Sequence, residues 1–144
     1  AVGLLGDARL GLQALIAALP GAAADSDWAA LNVPRVNAAE RGSWTGRQQA
    51  MQALLDTLRD SLPAPILVGD STQPVDQGAL GYRAPAPCTW FNAGTGYGTL
   101  GYGLPAAIGA KVALPERAVV ALVGDGGLQF SSAELIAARE HGSL

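Results

Sequence analysis

Three times an apolar stretch of this chain runs into Gly-Asp: Leu4-Leu5-Gly6-Asp7, Leu67-Val68-Gly69-Asp70 and Leu122-Val123-Gly124-Asp125. Gly and Asp favour the turn after a strand, and Asp is a good helix N-cap, so each copy reads first as strand, turn, helix. Helical patterns fall between the copies. Gln48–Leu62 places Met51, Leu54, Leu55, Leu58 and Leu62 at 3–4 spacing, the signature of an amphipathic helix. Pro105 opens a small-residue helix over Ala106–Ala113, which Pro115 stops. A chain that alternates strand and helix in this way is committed to an α/β layered fold with a parallel sheet. The Gly-Asp ends then stand at the carboxyl edge of the strands, where open α/β sheets bind ligands.

The rest of the chain is filled in around that frame. Val2–Leu5 reads as a short buried strand and Leu10–Leu19 as a helix ended by Pro20-Gly21. Ala22–Gly46 has no clean period and holds Pro34, Gly42, Gly46 and two tryptophans, so it reads as a linker with at most a short turn of helix. Ile66–Val68 is a strand. Asp70–Pro87 is polar and irregular, Pro85–Asn92 holds at best a stub of strand, and Gly94–Gly103 is a glycine loop. Val119–Val123 is the most β-like run in the chain. Ser131-Ser132-Ala133-Glu134 fits a capping box, which predicts a helix from about Ser132 to Arg139, closed by Gly142.

Composition removes several function classes. With 49% hydrophobic and 15% charged residues, the chain can bury a core. A net charge of −3 without a basic cluster argues against a nucleic-acid partner. The longest apolar stretch, near Leu10–Leu19, is too short to span a bilayer, so no membrane partner is expected. The lone Cys88 allows no internal disulfide and no multi-cysteine metal site, in keeping with a cytoplasmic location. His141 is the only histidine and lies far from Cys88 in sequence, so a cysteine nucleophile has no support.

Two stretches carry chemistry. Only the third Gly-Asp has glycine on both sides of the aspartate plus a further glycine, in Gly124-Asp125-Gly126-Gly127. A carboxylate at a strand end among residues without side chains suits a hard cation beside a phosphate. Asp supplies an oxygen ligand, and the glycines let backbone N–H groups approach phosphate oxygens. The second stretch, Gly96-Tyr97-Gly98-Thr99-Leu100-Gly101, matches G-x-G-x-x-G. It admits a nicotinamide or flavin dinucleotide site, with the chain then an oxidoreductase. It also admits a purely structural glycine loop. A non-catalytic binding module that keeps a nucleotide-like fold is a third reading.

Together, Gly98-Thr99-Leu100-Gly101-Tyr102-Gly103-Leu104-Pro105-Ala106-Ala107-Ile108-Gly109-Ala110, then Pro115-Glu116-Arg117, then Gly124-Asp125-Gly126-Gly127 resemble the cofactor-binding domain of thiamine-diphosphate enzymes. The branch resembled holds acetolactate synthase and the 2-oxo acid decarboxylases. Trp90 to Ala110 looks most like decarboxylases acting on the 2-oxo acid derived from arginine. The resemblance implies a three-layer α/β/α parallel sheet, with the chain a piece of a longer polypeptide. Residues 1–24 would end a middle domain, 25–46 would be a linker, and 47–144 would begin the diphosphate-binding domain.

It further implies thiamine diphosphate and Mg²⁺ as cofactors and a 2-oxo acid as substrate. The cofactor would accept the electrons as CO₂ leaves, with or without a following C–C ligation. By resemblance, Asp125 is the first metal ligand, and Gly126 and Gly127 are backbone donors to the diphosphate. Thr72 and Gln73 hold the diphosphate from the other side. The Gly98 carbonyl accepts from the aminopyrimidine, next to Thr99. Leu100 is the apolar wedge that bends the cofactor. Members often carry Ser or Ala where this chain has Gly127. Some relatives bind a flavin (FAD) on the middle domain, and no residue here points to one. Neither the family's second metal ligand nor its catalytic glutamate has a match, so the chain by itself is expected to bind the cofactor poorly and not to turn over. Sites shared between subunits imply a homodimer or homotetramer.

Overall fold

The computed structural model describes residues 5–19, 27–94 and 96–142. The chain divides into two compact units, residues 1–39 and 40–144. In the first unit, helix α1 (Ala8–Ala18) starts at Asp7, whose side chain accepts from the Leu10 amide at 3.0 Å. The strand expected over Val2–Leu5 lies, but for Leu5, outside the described residues, as does the Pro20-Gly21 stop.

Helix α2 (Trp28–Ser43) corrects the expectation that Ala22–Gly46 holds at most a short turn of helix. None of its residues is buried, so it has no reason to display an apolar period. Its alanines, Arg35, Glu40 and Arg41 favour helix by propensity alone, and Pro34 sits inside at the loss of one backbone hydrogen bond.

In the second unit, α3 (Gly46–Ser61) begins with a reciprocal cap: Thr45 Oγ1 accepts from Gln48 N, while Gln48 Oε1 accepts from Thr45 N. Strand β1 (Ile66–Gly69) is buried at every position. Then follow α4 (Gln73–Gly81), β2 (Trp90–Asn92), α5 (Gly103–Ala113), β3 (Val119–Leu122), α6 (Asp125–Ser131) and α7 (Glu134–Glu140). All pairings are parallel, in the order β2-β1-β3, with Leu67 beside Trp90 and Val120.

From β1 the chain moves one way to β2, then back across β1 to β3. Right-handed crossovers in opposite directions require their helices to lie on opposite faces of the sheet. The side chains bear this out. Ile66 and Val68 pack with Ala107 of α5, joined by Ala106, Ala110 and Val119. On the other face Gly69 meets Val75 of α4, and Trp90 lies against Gly78 of α4 beside Leu55 of α3. The sheet is therefore sandwiched between α3/α4 and α5, the three-layer α/β/α arrangement.

Helix α4 lies within Asp70–Pro87, which reads as irregular in the sequence. Pro74 falls in its first turn, where a missing N–H costs nothing, and its glycines are packing residues. The Trp90 ring occupies the place of a Gly78 side chain, and Trp44 that of Gly81. Tyr82 follows, its ring 4.8 Å from Trp90, and burial pushes its hydroxyl pKa up. The capping box expected at Ser131–Glu134 does not form. Helix α6 is already wound through Ser131, and Ser132 and Ala133 are helical rather than extended, so neither serine can cap α7.

These contacts predict opposite outcomes for two glycine substitutions. Gly78→Ala drives a methyl into the Trp90 indole and should destabilise the full-length protein by about 1–3 kcal/mol. Gly109→Ala, in α5 with open space around it, should stabilise by about 0.5–1 kcal/mol. Denaturant midpoints of the two variants check both signs.

Candidate functional site

The ends of β1 and β3 stand side by side, with Gly69 paired to Leu122 and the Asp70 amide donating to the Leu122 carbonyl at 2.9 Å. The chain leaves β1 toward α4 on one face. It leaves β3 toward α6, which packs with α7 against α5 on the other face. Neighbouring strands whose loops diverge in this way leave a crevice between their carboxyl ends. Thr72 and Gly124 line it: a Cβ on Gly124 would come 3.6 Å from Thr72 Cγ2. Thr72 is the N-cap residue of α4, yet its hydroxyl caps nothing. Its carbonyl takes the amides of Val75 and Asp76, and its Oγ1 is buried without a hydrogen-bond partner. A buried hydroxyl left unpaired is costly, and this one sits at the crevice.

Asp70 lies beneath. It is fully buried, with Oδ1 accepting from Ser71 N at 3.0 Å and Oδ2 from Gly101 N at 2.8 Å. Its surroundings have been cleared of side chains. A Cβ at Gly127 would lie 2.5 Å from Asp70 Oδ2, and one at Gly103 would lie 3.1 Å from Asp70 Cβ. Serine or alanine at position 127, common in the family resembled, would not fit here without a shift.

The glycine loop reaches the same place. Gly98 and Gly101 have φ of +62° and +85°, a left-handed backbone that suits glycine. A Cβ at Gly98 would lie 3.6 Å from Ser71 Oγ, and one at Gly101 would lie 3.8 Å from the Gly127 carbonyl. Three segments thus converge: the turn after β1, the glycine loop and the start of α6.

Not every expected site residue is drawn in equally. Thr72, Gly98 and Gly127 meet residues of neighbouring segments as just described. Asp125 and Gly126 form the exposed first turn of α6. Thr99 is exposed, and Leu100 is 46% exposed. Gln73 is exposed and faces a groove between α3 and α4 with Thr45, Gln48, Asp76 and Gln77, not the crevice alone. Among the described residues no three His, Cys, Asp or Glu side chains gather to hold a metal, so Asp125 offers a single carboxylate.

Asp70 itself escapes sequence reasoning, although it ends the second strand–Gly–Asp copy. Nothing local marks that copy as more than a turn, because the partner of its carboxylate lies 31 residues away. The geometry also bears on the dinucleotide pattern. Ten residues separate β2 from α5, and the Gly101 amide is already taken by Asp70, so the tight strand-to-helix turn of a dinucleotide site is not formed.

Residues 68–143 match the family described as thiamine pyrophosphate enzyme, C-terminal TPP binding domain. Over 141 residues, 97% of this chain, it is 46% identical to the protein of Pseudomonas aeruginosa named probable 2-ketoarginine decarboxylase AruI, covering 25% of that protein. It is 49% identical over 63 residues to the acetolactate synthase isozyme 3 large subunit of Escherichia coli, 44% of this chain and 11% of that protein. To the acetolactate synthase large subunit of Lactococcus lactis it is 58% identical over 40 residues, 28% of this chain and 7% of that one. The chain spans a quarter or less of the length of these relatives. The three-layer sheet, the crevice between β1 and β3 and the match across residues 68–143 agree: the chain belongs to the thiamine pyrophosphate enzymes and carries part of their TPP-binding domain.

Proposed function

We propose that this chain holds the diphosphate end of thiamine diphosphate, through a divalent cation such as Mg²⁺, in an enzyme that decarboxylates a 2-oxo acid. The observation that carries the reading is the unpartnered Thr72 hydroxyl at the crevice between the ends of β1 and β3. The residues present fit the group. Thr72 Oγ1 is a ready donor to a phosphate oxygen. The first-turn amides of Asp125, Gly126 and Gly127 are free of intrahelical partners, as in any helix, and the glycines let an anion come close. Asp125, exposed on the same turn, offers one oxygen to a hard cation, which needs further ligands from elsewhere in the enzyme. The glycine loop brings Gly98 to the turn after β1 and leaves Leu100 half-exposed; by resemblance the Gly98 carbonyl would accept from the aminopyrimidine and Leu100 would stand against the rings.

When bound, the thiazolium supplies the electron sink that a 2-oxo acid needs to lose CO₂. This chain's own residues would bind, orient and shield: they would hold the cation that offsets the charge of the anionic tail, hydrogen-bond that tail, set the ring end by the glycine loop, and leave the partly exposed leucine to exclude water once covered.

Decarboxylation is favoured over ligation because the decarboxylase relative aligns over 97% of the chain, the acetolactate synthase of Escherichia coli over 44%. The substrate would then be a 2-oxo acid of the 2-ketoarginine kind, a reading supported by that relative's name, probable 2-ketoarginine decarboxylase. The active enzyme is a homo-oligomer that completes the metal and catalytic sites.

Thiamine diphosphate with Mg²⁺ should raise the melting temperature of the full-length protein, and NAD should not; stabilisation by NAD alone would reject the cofactor. Asp125→Ala should abolish Mg²⁺-dependent cofactor binding, read by calorimetry. Thr72→Val keeps the shape and removes only the hydroxyl. It should leave the unliganded protein at least as stable as before, since that buried hydroxyl bonds to nothing. It should also weaken cofactor affinity by roughly tenfold. A loss of apo stability with unchanged affinity would place Thr72 in the scaffold instead.

A further inference from the structure

The loop that carries Leu100 is joined to the strand ends by very little. Among the described residues, the bond from Gly101 N to Asp70 Oδ2 is the only hydrogen bond that residues 96–101 make to the sheet or its turns. Leu100 precedes that amide directly, and Gly101 carries a φ of +85°, so the placement of one peptide unit sets where the leucine stands. The acceptor is fixed in turn. Asp70 is fully buried, its other oxygen holds the Ser71 amide, and Gly103 and Gly127 close over it with no room for a side chain. Hydrogen bonds from backbone amides to a buried carboxylate are short and strongly directional.

We propose that Asp70 is a positioning residue: its carboxylate latches the glycine loop to the end of β1 and so sets the height of Leu100 and Gly98 over the crevice. The inference rests on the reading of that crevice as a thiamine diphosphate site. Asp70 acts through the loop, on the ring end of the cofactor, and not on the diphosphate. Both of its oxygens face backbone amides within the protein, and its side chain exposes nothing to a ligand. Thr72, two residues on, serves the other end. One turn therefore holds two separable functions, the hydroxyl for the tail and the carboxylate for the loop.

Two ligands tell the ends apart in the full-length protein: Mg²⁺ with inorganic pyrophosphate fills the tail site alone, and Mg²⁺ with thiamine diphosphate needs the loop as well. Asp70→Asn keeps the size but supports only one of the two amides. It should weaken thiamine diphosphate by roughly tenfold and change pyrophosphate affinity by less than about twofold. Asp70→Ala, which supports neither amide, should show the same split more strongly. Equal loss for both ligands would overturn the latch. Hydrogen exchange adds a measurement that needs no variant: in the wild-type protein without ligand, the Gly101 amide should exchange slowly, and in Asp70→Asn at least roughly tenfold faster. A wild-type Gly101 amide that exchanges as freely as an open loop's would also overturn it. Failure of the wild type to bind either ligand would sink the cofactor reading instead; the Gly101 amide tells that failure from failure of the latch, because it reports on Asp70 with no ligand present.

Discussion

The arrangement depends on β1 being the central strand, paired on both sides and covered on both faces. Its four residues are buried, Ile66 and Val68 toward α5 and Leu67 and Gly69 toward α3/α4. A strand buried on both faces cannot alternate polar and apolar residues, and Ile66-Leu67-Val68 does not. Because the chain passes to β2 on one side and returns to β3 on the other, the turns after β1 and β3 separate. The crevice follows from the order of winding. The residues that line it only decide what it binds.

What fits into that crevice is set by subtraction as much as by side chains. Gly103 and Gly127 are bare where Asp70 needs room, and Gly78 is bare where Trp90 needs it. Glycine inside a helix costs backbone entropy, roughly 0.5–1 kcal/mol each relative to alanine. Helices α4, α5 and α6 accept that cost for close approach, which places Asp70 and the Trp90 indole in single positions.

The same trade explains which parts of the structure can be read from the sequence. Helix α3 is legible because Leu55 and its neighbours follow the period of a half-buried helix, and β3 because Val119–Val123 is rich in β-branched residues. Helix α2 is hidden because it buries no face and so has no period to show. Helix α4 is hidden because its glycines, needed for packing, look one by one like turn signals. In the site, the Gly124–Gly127 run, the glycine loop and Thr72 are legible through their resemblance to the family. Asp70 is not, since its meaning depends on an amide brought to it only by the fold.

The three strand–Gly–Asp copies make the point physically. Asp7 is exposed and caps α1 through the Leu10 amide, as turn chemistry predicts. Asp70 ends the central strand, where every direction is occupied by protein, so its carboxylate must find its donors inside and becomes a fixed internal anchor. Asp125 follows β3 by three residues and stands in the exposed first turn of α6, so its carboxylate keeps its lone pairs free for something that arrives from outside. One local pattern thus yields a cap, an anchor and a candidate ligand. The added glycines mark Asp125 within its pattern, but nothing local tells Asp70 from Asp7. What separates Asp70 from Asp125 is how many sides are already covered by protein, and that is decided by the winding of the sheet.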